Sequence, residues 1–117
     1  MRAVVIPSYG DPEVLRVQEW PDPIPKAGEA RIRVEAAGIN FADISARVGL
    51  YPDAPKPPCV VGYEVAGTIE SLGPGTRGFE VGEPVLAMSA FGGYASLACT
   101  DVRVIHRRPE SMSVTEA

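Results

Sequence analysis

Between Gly38 and Gly67 the chain gathers side chains that can hold or polarise a ligand: the amide of Asn40, the carboxylates of Asp43 and Glu64, and the phenols of Tyr51 and Tyr63. A second glycine-flanked phenol follows at Gly92-Gly93-Tyr94. Amides and phenols donate hydrogen bonds, and two carboxylates can accept them or bind a hard cation, although Asp43 and Glu64 lack the regular spacing of a cation loop. His106 is the one histidine and stands beside Arg107 and Arg108, so neither a catalytic triad nor a histidine metal site can be built from it. Each candidate also has a plainer role. Asn40 and Asp43 can serve only to cap a helix, Tyr51 can pack on prolines, Tyr63 can be a half-buried strand residue, and Glu64 can pair with a nearby cation.

These residues need elements to position them. Glu29-Ala30-Arg31-Ile32-Arg33-Val34-Glu35-Ala36 alternates charged and apolar residues, the period of a strand with one wet face. A helix is expected after it, with Asn40 as N-cap, Asp43 at the capping-box position, Phe41, Ile44 and Val48 on one apolar face, and Gly49 as its end. Four prolines between Tyr51 and Pro58 stiffen the following loop. Strands are expected at Arg2-Ile6, Val14-Glu19, Val60-Ser71, Pro84-Met88, Tyr94-Thr100 and Val102-His106. Twelve prolines, twelve glycines and many short strands around one clear helix predict a mainly β, β-rich α+β fold, a compact barrel-like domain.

Composition narrows the function. The 117 residues make one domain, 45% hydrophobic and 22% charged, with no apolar run long enough to span a membrane. A net charge of −4 with no basic stripe beyond Arg103, Arg107 and Arg108 argues against nucleic acid. Met1 leads directly into a strand-like segment, so a soluble, cytoplasmic protein is expected. Cys59 and Cys99 read as small apolar groups rather than a disulfide. Gly73-Pro74-Gly75-Thr76-Arg77-Gly78 has dinucleotide-fingerprint spacing, but Gly82 and Pro84 follow where a helix must open, so it is expected to be a turn between strands.

The ordered motifs A-A-G-I-N-F-A-D-I, G-L-Y-P, V-G-Y-E-V-A-G-T-I, G-x-x-V-G-E-P-V and F-G-G-Y-A-S together resemble the N-terminal catalytic domain of the medium-chain dehydrogenase/reductase superfamily, in its zinc-free quinone oxidoreductase branch. The resemblance implies a GroES-like, partly open β-barrel with one or two short helices. In that family a Rossmann domain that binds NADPH follows, and Ser111–Ala117 is expected to begin the helix leading to it. Zinc-dependent members carry a Cys at the position of Asn40, a His at that of Tyr63, and a four-cysteine lobe before the G-G-Y-A segment. None of these is present, so no zinc is expected. The implied chemistry is hydride delivery from NADPH to a quinone or activated enone, possible homo-oligomers included. The implied catalytic residues are Asn40, Asp43, Tyr51 and Tyr63. Asn40 and Tyr51 are also placed against the cofactor, and Glu64, Gly92, Gly93 and Tyr94 line the substrate cleft. A GroES-like binding module without activity, and an alcohol dehydrogenase domain that has lost its metal, are the alternatives.

Overall fold

The computed structural model describes residues 1–117. Seven strands and one α-helix follow one another as β1 (Arg2–Val5), β2 (Arg16–Glu19), β3 (Glu29–Ala37), α1 (Phe41–Arg47), β4 (Glu64–Leu72), β5 (Pro84–Met88), β6 (Leu97–Asp101) and β7 (Ile105–Arg107). β3 to β7 form one antiparallel sheet in the order β6-β3-β4-β5-β7, curled into a half-barrel, while β1 and β2 make a separate ribbon. The β-rich architecture with one short helix agrees with the sequence-based expectation. No helix is long and apolar enough to cross a membrane.

The alternation seen in β3 becomes the wall of the main core. Ala30 and Ile32 face inward with Val65, Ile69, Val85, Ala87 and Ile105. Ile32 and Ile69 are almost fully buried, each contributing about 1.5–3 kcal/mol on removal from water. On the outer face, Arg31 makes a two-pronged ion pair with Glu70 across the β3–β4 pair, at 2.7 and 3.2 Å. A second, smaller core lies under the candidate residues, where Ile6, Cys59 and Val61 close around Ala46 of α1.

Several elements differ from their expected form, each for a local reason. Residues 12–14 form a 3-10 turn, so β2 starts only at Arg16. Cys59 to Tyr63 is irregular rather than strand, because Gly62 adopts φ +110° and the segment bonds to β1 and to Tyr94: Cys59 exchanges backbone bonds with Ile6, and Val61 accepts from the Tyr94 N–H. Residues 94–96 bond back toward Arg2 and Val4, so β6 begins at Leu97. The Asp101 carboxylate accepts from the Arg103 N–H and nucleates a 3-10 turn at 102–104, leaving β7 as three residues. Ser111–Ala117 makes turns and no helix.

The helix departs most informatively. Its expected apolar face is turned outward, with Phe41 81% exposed and Ile44 and Val48 also exposed, whereas Asp43 and Ala46 are buried. Ala46 lets α1 approach the Cys59–Val61 segment closely, and Asp43 finds donors there. The glycine cluster at 73–78 is a turn as expected: the Thr76 N–H donates to the Gly73 carbonyl at 3.1 Å.

Candidate functional site

Asp43 is the centre on which three segments converge. It is only 4% exposed. Its Oδ2 accepts the Asn40 N–H at 2.8 Å and the Tyr94 hydroxyl at 2.7 Å, and its Oδ1 accepts the Gly62 N–H at 2.9 Å. The helix start, the irregular segment before β4 and the glycine turn before β6 are thereby tied to one carboxylate. The Gly62 carbonyl is held as well, by the buried Ser89 hydroxyl at 2.9 Å and the Gly93 N–H at 3.2 Å. Bonds to an ionised acceptor are about twice as strong as neutral ones, which suits a carboxylate used as a staple.

Beside the staple stands an aromatic cluster. The Tyr63 ring meets Tyr51 edge-on at 5.9 Å between centroids and leans on Phe91 at 5.2 Å. Such pairs add about 0.5–1.5 kcal/mol beyond the area they bury, enough to fix a half-buried ring. The Tyr63 hydroxyl and the Asn40 side-chain nitrogen are both buried without a hydrogen-bond partner. Ser71 Oγ and Arg108 Nε are unpartnered too; an orphaned buried donor costs about 1–3 kcal/mol, and of these four atoms the Asn40 and Tyr63 donors belong to residues next to the Asp43 bonds.

Burial pushes the Tyr63 phenol up to about 12 from its ordinary 10.0, with the Tyr51 phenol and the Asp43 charge adding to it. Burial first, and then the bond to Asp43, raises Tyr94 as well. Both phenols are therefore donors at neutral pH. A phenol whose folded pKa exceeds its unfolded value contributes stability that is intact below the unfolded value and is lost as pH rises through the folded one. For Tyr63 the window runs from 10.0 to about 12. The melting temperature is expected to hold up to the lower limit and fall across the window, less steeply in Tyr63→Phe. A flat profile there would show that the phenol ionises as freely in the fold as in the unfolded chain.

The sequence-derived residues are thus divided. The Asn40 backbone and the Tyr94 hydroxyl bond to Asp43 directly, Tyr63 follows the bonded Gly62 in the chain, and Tyr51 meets the Tyr63 ring. Glu64, Gly92, Gly93 and Tyr94, expected to line one cleft, open on different recesses. Glu64 faces a recess of about 240 Å³ with Met88, Gly92 a groove of about 490 Å³ with Trp20, and Gly93 and Tyr94 one of about 420 Å³ with Val34. Asp43 and Tyr94 also border an apolar recess of about 360 Å³ walled by Ile39, Ile44 and Val61. Glu64 makes no ion pair; its carboxylate lies over Gly38, where a side chain would collide with it. Phe91 and Ser89 were not singled out from the sequence, whereas Gly62, read there as a bend or close backbone approach, is one: its φ is +110° and it lies against the Gly93-Tyr94 backbone. An aromatic directly before Gly92-Gly93 was the available sign of the first. No three His, Cys, Asp or Glu side chains are gathered in a way that could hold a metal ion.

Residues 26–110 match the model of the alcohol dehydrogenase GroES-like domain. The whole chain is 39% identical to 28% of a mouse protein named synaptic vesicle membrane protein VAT-1 homolog-like. A quinone oxidoreductase of Pongo abelii is 38% identical over 96% of this chain and 35% of its own length. The crystal structure of Escherichia coli quinone oxidoreductase complexed with NADPH superposes with a TM-score of 0.90 at 31% identity, over 97% of this chain and 35% of that one. The chain therefore spans about a third of the length of the relatives it matches. With the family model matched over most of its length, the chain belongs to the alcohol dehydrogenase GroES-like domain family of the medium-chain dehydrogenase/reductase superfamily.

Proposed function

We propose that this chain is the substrate-side domain of a cytoplasmic, zinc-independent NADPH-dependent reductase of quinones or activated enones, working as a possible homo-oligomer. The observation that carries this reading is the pair of buried donors without partners, Asn40 Nδ2 and the Tyr63 hydroxyl. The relatives named quinone oxidoreductase, and the neighbour solved with NADPH, support the reaction class.

The residues fit the nicotinamide end of such a cofactor. When bound, NADPH supplies a hydride to the acceptor carbon. Negative charge then gathers on the acceptor's oxygen, and donors aimed at it in a dry pocket lower the barrier. Tyr63, kept protonated, is suited to meet that charge, while the Asn40 amide holds either the carboxamide or the substrate. Tyr51 and Phe91 exclude water from one side of Tyr63 and offer flat surfaces to a ring substrate. In this reading Tyr94 borders the substrate recess beside Asp43, while Glu64, Gly92 and Gly93, which open on other recesses, stand around it. The last proton comes from solvent. Asn40 and Tyr63 supply neither thiolate, imidazole nor carboxylate, the ligands zinc prefers.

Gly73–Gly78 is a turn and cannot cradle a pyrophosphate, so that role falls to chain outside these 117 residues. NADPH oxidation is accordingly expected to be undetectable with residues 1–117 alone and saturable in the full-length protein, where Asn40→Ala and Tyr51→Phe lower turnover more than stability, Asn40→Ala by about 100-fold. Saturable oxidation by the short chain, unchanged kinetics in both variants, or stoichiometric zinc in purified protein would each overturn the corresponding part. Other relatives carry the name synaptic vesicle membrane protein rather than oxidoreductase, and beside them stands the second reading, a GroES-like binding module. Absence of any NADPH oxidation by the full-length protein selects it.

A further inference from the structure

We propose that Asp43 and Tyr94 are positioning residues for Asn40 and Tyr63, holding the backbone on either side of these two donors so that both stay presented to a bound ligand. The inference rests on the reading of Asn40 and Tyr63 above and adds to it the parts that make the pair rigid. Asp43 stands in the first turn of α1, and its two oxygens are already committed, one to the Gly62 N–H and the other to the Asn40 N–H and the Tyr94 hydroxyl. Proton transfer by this carboxylate would have to break bonds that hold the site together. What it can do is fix distance: one bond sits on Asn40 itself and another on the residue immediately before Tyr63.

The rest of the surroundings tighten the same two points. The Gly62 carbonyl is held by Ser89 and Gly93, so the residue before Tyr63 is held at both its N–H and its C=O. The Tyr63 ring is gripped by Tyr51 and Phe91. Tyr94 packs against the small core of Ile6, Ala46, Cys59 and Val61, so its hydroxyl reaches Asp43 from a fixed base. A buried carboxylate with three donors, next to two donors with none, is the pattern of a site whose support is satisfied and whose working groups are left free. The Asp43 charge also works against ionisation of the Tyr63 phenol, keeping it a donor.

The test uses the full-length protein, NADPH and 1,4-benzoquinone as the acceptor. Asp43→Asn is expected to lower kcat by about 10–100-fold with little change in KM, the size of effect a misplacement of about 1 Å produces. Tyr94→Phe, which leaves both backbone bonds in place, is expected to lower kcat by about 3–10-fold and decides the matter if Asp43→Asn does not fold. In an Asn40→Ala/Tyr63→Phe background, Asp43→Asn is expected to cost less than about 2-fold more, because nothing remains for it to position. Independently of turnover, 3-fluorotyrosine placed at position 63 is expected to change its 19F resonance in both Asp43→Asn and Tyr94→Phe. If Asn40→Ala and Tyr63→Phe leave turnover unchanged, the donor-pair reading itself fails. If they lower it while Asp43→Asn and Tyr94→Phe do not, if the Asp43→Asn loss persists undiminished in the double-variant background, or if the 19F resonance stays unmoved, the positioning role alone is overturned.

Discussion

Replacing Asp43 with alanine is expected to lower folding stability by about 3–5 kcal/mol, because it leaves three inward-facing donors without an acceptor at once. The Gly62 N–H is the most deeply buried of the three and carries the largest share, about 1–3 kcal/mol; the Asn40 N–H and the Tyr94 hydroxyl are partly reached by water and carry less. Ordinary loss of a helix cap costs about 1 kcal/mol, so the magnitude separates a staple from a cap. Asp43→Asn keeps one accepting oxygen and is expected to lose about half as much. The measurement is urea unfolding with the slope checked for constancy, since a shifted midpoint at constant slope is a change in stability alone. A loss near 1 kcal/mol for Asp43→Ala would mean that Gly62 and Tyr94 gain nothing from the carboxylate.

The second large effect is expected at Gly62. Its φ of +110° is a conformation that side chains rarely adopt, and a Cβ there would lie 2.6 Å from the Tyr94 backbone nitrogen and 2.9 Å from the Gly93 backbone. Backbone cannot swing aside as a flexible side chain can, so Gly62→Ala must push the two segments apart or distort both. Strain of about 1–3 kcal/mol and overpacking of about 1–3 kcal/mol add to a large part of a small domain's stability. Gly75→Ala is the matched control, because its φ is +69° and nothing lies within 4 Å of the added carbon. It carries the backbone term without the collision and is expected to cost about 1 kcal/mol. Thermal unfolding of the two variants side by side reads the difference. Equal losses would show that the Gly62–Gly93 contact yields easily, and the need for glycine at position 62 would rest on its φ alone.

Much of this protein was legible in the order of its residues. The period-two alternation from Glu29 onward predicted β3, since a residue's side of a strand follows from the chain alone. Asn40 and Asp43 predicted where α1 starts, and the crowding of Gly82 and Pro84 behind Gly73–Gly78 excluded a helix there, because caps and breakers act within a few residues. The five ordered motifs pointed to the family for the same reason that they are specific: each combines a turn glycine with its flanking strand or helix. What tertiary structure alone decided is which groups are spent and which are free. Phe41, Ile44 and Val48 share a helix face, yet that face points outward, because Ala46 and Asp43 offer the opposite side a closer approach and three hydrogen bonds. That the Asp43 oxygens are bonded depends on partners 19 to 51 residues away in the chain, Gly62 and Tyr94, which no local pattern encodes. The residue types at the site come from the sequence, but their division into a satisfied support and unsatisfied donors exists only once β1, α1 and the two glycine segments are packed together.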